Sequence, residues 1–238
     1  MIETRNLSKK FGQNTVLDSL NFSVSQGEIF CFLGANGAGK TTTINLLLGF
    51  LKPTSGEAFI NEMDVQDNLE TTRAAVAYIP EQVSLYPELT GFENLEFFVR
   101  LARKPHDSEF LVSCLENAGL ACEFHNMFSS TYSKGMRQKV GIAIAMAKKA
   151  KVLLLDEPLS GLDPKAANEF CQILKKLKND GVAILMATHD LFRAKEIGDR
   201  LGIMKDGKLL ETLLTKNVSL AEIEETYLNH MQHLQEEK

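Results

Sequence analysis

Ile29-Phe30-Cys31-Phe32-Leu33-Gly34-Ala35-Asn36-Gly37-Ala38-Gly39-Lys40-Thr41-Thr42-Thr43-Ile44 runs from an apolar pentad, through a glycine-rich turn ending in lysine, into a second apolar stretch. Physically this is a strand, a phosphate cradle and a helix. Glycine lets backbone N–H groups turn inward around a polyanion with no Cβ in the way, and the helix that follows points its positive dipole end at the same anion. The spacing marks Gly34, Asn36, Gly37, Ala38, Gly39, Lys40, Thr41 and Thr42 as candidates for binding a nucleoside triphosphate. Lys40 would supply a cation to the β- and γ-phosphates, and Thr41 a hydroxyl to Mg²⁺.

Further along, Val152-Leu153-Leu154-Leu155-Asp156-Glu157-Pro158 places two carboxylates at the carboxyl end of an apolar run. Ligands bind at that end of strands in open α/β sheets. Beside a phosphate loop, the pair implies hydrolysis: Asp156 to hold Mg²⁺ and Glu157 to orient and deprotonate the attacking water.

The rest of the 238 residues supports an ordinary globular α/β chain, with 44% hydrophobic and 24% charged residues. A net charge of -5 gives no electrostatic footprint for nucleic acid, so none is expected as a partner. Cys31, Cys114, Cys122 and Cys171 form no Cys-x-x-Cys pair and read as reduced thiols. Met1-Ile2-Glu3-Thr4-Arg5 lacks the build of a secretory signal, and no window is apolar enough to span a membrane. Residues up to Leu33 alternate as in a small antiparallel sheet, with turns at Phe11–Asn14 and Ser25–Gly27. Between about 90 and 150 the period is helical, with Val140, Ile144 and Ala147 expected on one face. Val152–Leu155 and Val182–Ala187 read as strands buried on both faces of a parallel sheet. Leu201–Glu211 reads as a closing hairpin, and Leu220–Gln235 as a polar helix or a frayed tail.

Tyr132-Ser133-Lys134-Gly135-Met136, about twenty residues ahead of the acidic strand, resembles the signature of the ATP-binding-cassette family, usually Leu-Ser-Gly-Gly-Gln. Other family marks follow in the family's order: the aromatic Phe11, the phosphate loop, Gln82, Asp156-Glu157, the turn Ser160–Asp163, and His189 after a strand. The resemblance implies an α/β P-loop NTPase core with a mainly parallel central sheet, an N-terminal antiparallel β-subdomain and a helical subdomain inserted at about 90–150. The resemblance runs from about Ile2 to Leu214 and implies a single nucleotide-binding domain over 1–220, with 221–238 as a short C-terminal helix or tail.

By the same resemblance, Phe11 stacks on adenine, and Gln82 touches Mg²⁺ and the attacking water. His189 meets the γ-phosphate and holds Glu157, Ser133 and Gly135 contact ATP held by another subunit, and Asp163 lies at the subunit interface. The expected function is ATP hydrolysis that powers a membrane transporter, through head-to-tail dimerisation of two identical or different ATPase subunits with ATP between them. The Tyr-Ser-Lys-Gly-Met signature resembles that of exporters of the ABC-2 type, whose transmembrane permease subunits are separate polypeptides. The chain would then sit on the cytoplasmic face of the membrane through that permease. Tyr86 and Leu89, near Phe92, Leu95, Phe97 and Phe98, are the expected docking region for a short permease helix. DNA-repair or translation cassettes would carry a long coiled coil or a second cassette, and a kinase would have no use for a signature helix.

Overall fold

The computed structural model describes residues 1–232. Alternating side chains build β1 (Ile2–Phe11) and β2 (Asn14–Val24) into an antiparallel pair joined at Gly12. β3 (Ile29–Leu33), buried at every residue, leads through the glycine loop into α1 (Lys40–Leu47). β4 (Ser55–Ile60) and the short β5 (Met63–Asp64) return to the first sheet, whose order is β2-β1-β4-β5. After α2 (Leu69–Ala75), β6 (Val76–Ile79) enters a second sheet.

A helical segment then interrupts that sheet. α3 (Gly91–Leu101) starts with a capping box, in which Thr90 Oγ1 accepts from the Glu93 N–H and the Glu93 carboxylate accepts from the Thr90 N–H. α4 (Ser108–Asn117) is capped by Asp107, and the one-turn α5 (Cys122–His125) follows. α6 (Lys134–Ala147) is capped by Ser133, whose Oγ accepts from the Met136 N–H.

The chain re-enters the sheet as β7 (Val152–Asp156). It continues through α7 (Pro164–Asn179), β8 (Ala183–Thr188), α8 (Leu191–Ile197) and the hairpin β9 (Arg200–Lys205) and β10 (Lys208–Leu214). The larger sheet has the order β10-β9-β3-β8-β7-β6 and is parallel except at the β9–β10 pair. Its central strands are covered on both sides, which explains their unbroken apolar runs. In β3, Ile29, Cys31 and Leu33 face the core shared with the helical segment, α7 and α8, while Phe30 and Phe32 face α1 and the small sheet. There they form an edge-to-face pair with ring centroids 5.4 Å apart, and Phe22 of β2 packs against both.

On α6, Val140 and Ala147 are buried and Ile144 packs, partly buried, against the same core; Ile142, Ala143, Ala145 and the side chain of Gln138 are buried as well. The helix packs on β6, α3 and α4 together, so its inner surface is broader than a single stripe. At the carboxyl end the alternative of a frayed tail gives way to α9 (Leu220–Gln232); residues 233–238, including the last part of the expected stretch, lie outside the described residues. Ile223, Tyr227 and Met231, four residues apart, turn one face of α9 onto the core. Lys205 Nζ also donates to the carbonyls of His230 and Met231, at 2.8 and 3.0 Å.

Ile223 is the fully buried residue of that face. Ile223→Asp should therefore destabilise the chain by about 2–4 kcal/mol in a denaturant titration, because a carboxylate would be buried without a partner. Leu228→Asp on the exposed side of the same helix should stay within about 0.5 kcal/mol of the parent.

Candidate active site

The turn between β3 and α1 is gripped by backbone on two sides. A Cβ on Gly34 would stand 2.4 Å from the carbonyl oxygen of Met204 in β9. One on Gly39, where φ is 106°, would stand 2.6 Å from Leu17 Cδ2 and 3.1 Å from the Val16 carbonyl in β2. Only glycine fits this close approach. Ala35, Asn36, Gly37, Ala38, Gly39, Lys40, Thr41 and Thr42 line a cavity of about 390 Å³, completed by Val16, Glu81, Asp156 and Glu157. Gly34 stands behind that wall and receives a hydrogen bond at its carbonyl from Lys40 Nζ, at 2.6 Å. Lys40 donates also to the Ala35 carbonyl at 3.2 Å, so the ammonium is held inside the loop's own curve. It is nearly fully buried, and among the described residues lining the cavity it is the one cation.

Against it stand the acids at the end of β7. Burial pushes the Asp156 carboxyl above its ordinary range; a hydrogen bond from Thr41 and the charge of Lys40 pull it back, and the charges of Glu157 and Glu81 push it further up. Three carboxylate side chains, Asp156, Glu157 and Glu81, thus line the cavity with the single ammonium of Lys40. Glu157 follows with φ at 48°, a left-handed conformation that costs about 1–3 kcal/mol in a residue with a side chain and persists only where the surroundings enforce it. Its N–H is fixed on the Ala187 carbonyl of β8 at 2.9 Å. The turn aims the side chain back at the loop: Oε1 lies 3.6 Å from Lys40 Nζ, buried and without a hydrogen-bond partner, while Oε2 lies 2.9 Å from His189 Nδ1. The His189 side chain is 61% exposed.

Not every sequence-nominated residue joins this wall. Gln82 does not: it lines two neighbouring hollows with Val83, Ser84 and Leu85, and the preceding residue, Glu81, lines the cavity in its place. The reason is local. Pro80 ends β6, and Gln138 of α6 donates to the carbonyls of Pro80 and Glu81 at 3.3 and 3.1 Å, fixing which of the two successive side chains meets the loop. Phe11 is also outside the lining. It stands at the end of β1, 48% exposed rather than in a core, with Lys9 Nζ 4.9 Å from its ring centroid.

Ser133 is exposed at the start of α6, and neither it nor Gly135 lines the cavity of its own chain. Asp163 caps α7, its Oδ1 accepting from the N–H groups of Lys165 and Ala166 at 3.0 Å each. Val16 and Glu81 are the wall residues that carried no motif. Val16 comes into place through the β1–β2 pairing, which only long-range contacts reveal.

The ABC transporter family profile matches residues 17–160. BcrA of Enterococcus faecalis, a bacitracin transport ATP-binding protein, is 38% identical over 212 residues, covering 89% of this chain and 68% of that protein. An ATP-binding subunit of an ABC transporter superposes with a TM-score of 0.86 at 31% identity, over 98% of this chain and all of the other. The ATP-binding cassette MJ0796, in a dimeric post-hydrolysis state bound to ADP and Pi, superposes with a TM-score of 0.81 at 30% identity, over 90% of this chain and 99% of the other. A strained Glu157 aimed at a glycine-cradled lysine, within a chain so related, leads to one assignment: the protein belongs to the ATP-binding-cassette transporter family, as an ATP-binding and ATP-hydrolysing subunit.

Proposed function

We propose that the chain drives an exporter whose membrane-spanning subunits are separate polypeptides, working as a head-to-tail pair of ATPase subunits on the cytoplasmic face of the membrane. The observation that carries this reading is that Ser133 is exposed and does not line the cavity of its own chain, so the signature end of α6 is free to close a second chain's site. Relatedness to a bacitracin transport protein supports export, and among the described residues no helix is long and apolar enough to cross a membrane.

In this reading the loop N–H groups and Lys40 take the β- and γ-phosphates, Lys40 exchanging its carbonyl acceptors for phosphate oxygens. Phe11 offers a ring face to adenine at the open side. The donor set fits Mg²⁺, since the Thr41 hydroxyl and the Asp156 carboxylate are hard oxygens in a cavity that sets three carboxylates beside one ammonium. Among the described residues no three acidic, histidine or cysteine side chains form a cage, as expected where substrate phosphates complete the shell. When bound, Mg²⁺ would neutralise charge on the β- and γ-phosphates. Glu157 Oε1 is the base: it takes a proton from water as the water oxygen bonds to the γ-phosphorus, and the bond to the ADP oxygen breaks. His189 Nδ1 holds Oε2 in place, and the outer ring nitrogen faces the γ-phosphate. The exposed Ser133 and the half-buried Gly135 complete the partner's site, and Asp163 orders the turn beside them.

Tyr86, Phe97 and Phe98 cluster with ring centroids 4.8–6.1 Å apart beside a hollow lined by Val83, Leu85 and Ile144. Leu95 is fully buried and Phe92 partly so; these two belong to the core. The exposed rings are the docking place for a short permease helix.

Glu157→Gln should lower turnover by about 10²- to 10⁴-fold while ATP stays bound, as the amide keeps shape and loses basicity; near-parent phosphate release would remove Glu157 from this role. In that background ATP should drive dimers visible by light scattering, and adding Ser133→Arg should abolish them without loss of single-chain ATP binding. Dimers in both samples would contradict the shared site. Tyr86→Ser combined with Phe97→Ser should abolish co-purification with the permease while ATP affinity stays at the parent value, and retained co-purification would move the docking surface elsewhere.

A further inference from the structure

A hollow of about 600 Å³, sharing no residue with the nucleotide cavity, lies between α2 and the carboxyl ends of α3 and α6. Arg73, Arg103, Lys104 and Lys148 line it, and Glu70 is the one carboxylate among its lining residues. None of the four cations makes an ion pair among the described residues. Three of them donate to backbone carbonyls instead. Arg73 reaches Leu48 and Gly49 after α1, at 2.9 and 2.8 Å, Lys104 reaches Lys148 after α6 at 2.7 Å, and Lys148 reaches Val76 of β6 at 2.8 Å. Each helix end carries about half a negative charge, so with the ends of α1, α3 and α6 and the Glu70 carboxylate set against the four cations, the hollow keeps roughly one and a half positive charges. The crowding is felt at Lys148, where burial and the neighbouring Lys104 charge hold the ammonium below the usual lysine range. Arg103 stands at the left-handed residue that ends α3, with φ at 55°, a position where glycine would be unstrained.

Beside these cations lie exposed apolar side chains. Leu101 lines the hollow and is 69% exposed; Phe50 is 61% exposed, its ring centroid 5.4 Å from Arg73 Cζ. Leu101 follows Phe98 by three residues and Phe97 by four on α3, so it shares their face of the helix. Lys148 lines this hollow and also the one beside the Tyr86 cluster, which makes the basic surface continuous with the permease docking place. We propose that the hollow binds the phosphate of an anionic lipid headgroup at the membrane surface next to the permease, with Leu101 and Phe50 against the headgroup boundary. The inference rests on the docking reading above. Cations flanked by exposed apolar side chains are what an anionic bilayer surface retains, the charges meeting phosphate and the apolar groups entering the boundary. An acidic protein segment would account for the cations and leave both apolar side chains unused. Because the whole chain carries a net charge of -5, an anionic membrane repels most of its surface, and this local surplus turns the docking face toward the bilayer.

The test is flotation of the full chain, without nucleotide or permease, on vesicles of phosphatidylcholine alone or mixed with phosphatidylglycerol. The parent should float with the mixed vesicles only, and less at high salt. Each cation near such a surface strengthens partitioning by about fivefold, so Arg103→Gln should weaken it about fivefold and Arg103→Gln with Lys104→Gln roughly 25-fold, while ATP hydrolysis stays at the parent rate. Leu101→Ser should weaken it about threefold. Lys176→Gln with Lys216→Gln, which removes the same charge from residues outside the hollow, should stay within about twofold of the parent. No flotation of the parent, equal loss in the two paired variants, or equal flotation on neutral vesicles overturns the proposal. Release of the parent by inorganic phosphate at constant ionic strength would assign the hollow to a free anion and overturn the lipid source. Failure to float, joined to loss of permease co-purification in Arg103→Gln with Lys104→Gln, would overturn it in favour of an acidic permease segment. A chain that floats as expected yet keeps its permease in Tyr86→Ser with Phe97→Ser would support the lipid site and overturn the docking reading alone.

Discussion

The turn from Leu33 to Lys40 is packed so tightly between β9 and the β1–β2 hairpin that two of its positions admit no Cβ, and the site is built on that contact. The backbone of β9 closes on Gly34, and that of β2 closes on Gly39. The turn from β9 to β10 adds a third clamp: the Gly207 N–H donates to the Ala38 carbonyl at 3.1 Å, while the Gly207 carbonyl accepts from the Asp18 N–H at 3.0 Å. A loop held from outside in this way keeps its inner N–H groups directed at the cavity before any anion arrives. Preorganised donors avoid the reorganisation that a flexible loop would undergo on binding. The two sheets are thus joined at the nucleotide loop, and the small sheet forms part of the site's support.

Charge at this loop is arranged as an unfinished balance. Lys40 is buried and its hydrogen bonds go to backbone carbonyls of neighbouring residues, contacts easily exchanged for phosphate oxygens. Glu157 holds one oxygen against His189 and keeps the other buried with no hydrogen bond. A buried carboxylate oxygen without a donor is unfavourable by about 1–3 kcal/mol or more, and a bound water is a natural way to satisfy it. The strained φ of Glu157 tells the same story from the backbone. Local stability is given up where the chemistry requires a side chain to turn back toward the phosphate loop.

The helical segment reaches this centre through few contacts. Gln138 grips the chain just after β6, and Lys134 faces Glu81, both from the first two turns of α6. The same helix start carries Ser133 outward. Nucleotide wall, signature end and the stretch leading to the Tyr86 cluster are therefore joined by one short length of helix.

The sequence by itself determined the strand–loop–helix turn, the acidic strand end, the parallel sheet and the helical insertion. Each of these depends on local rules: glycine where a Cβ cannot fit, unbroken apolar runs where both faces are covered, capping residues at helix starts. It also singled out Lys40, Asp156 and Glu157, because residue type and spacing along one or two elements carry their chemistry, and His189 through the family resemblance alone. Tertiary structure alone decided what depends on neighbours distant in the chain. Val16 joins the wall through strand pairing. Glu81 faces the cavity in place of Gln82 because Gln138, more than fifty residues later, fixes the backbone there. α9 is anchored because Ile223 finds a core to enter, whereas its composition is equally that of a solvated tail. A one-residue change of register reverses a side chain's direction at little local cost, so the sequence pattern leaves it open and long-range hydrogen bonds settle it.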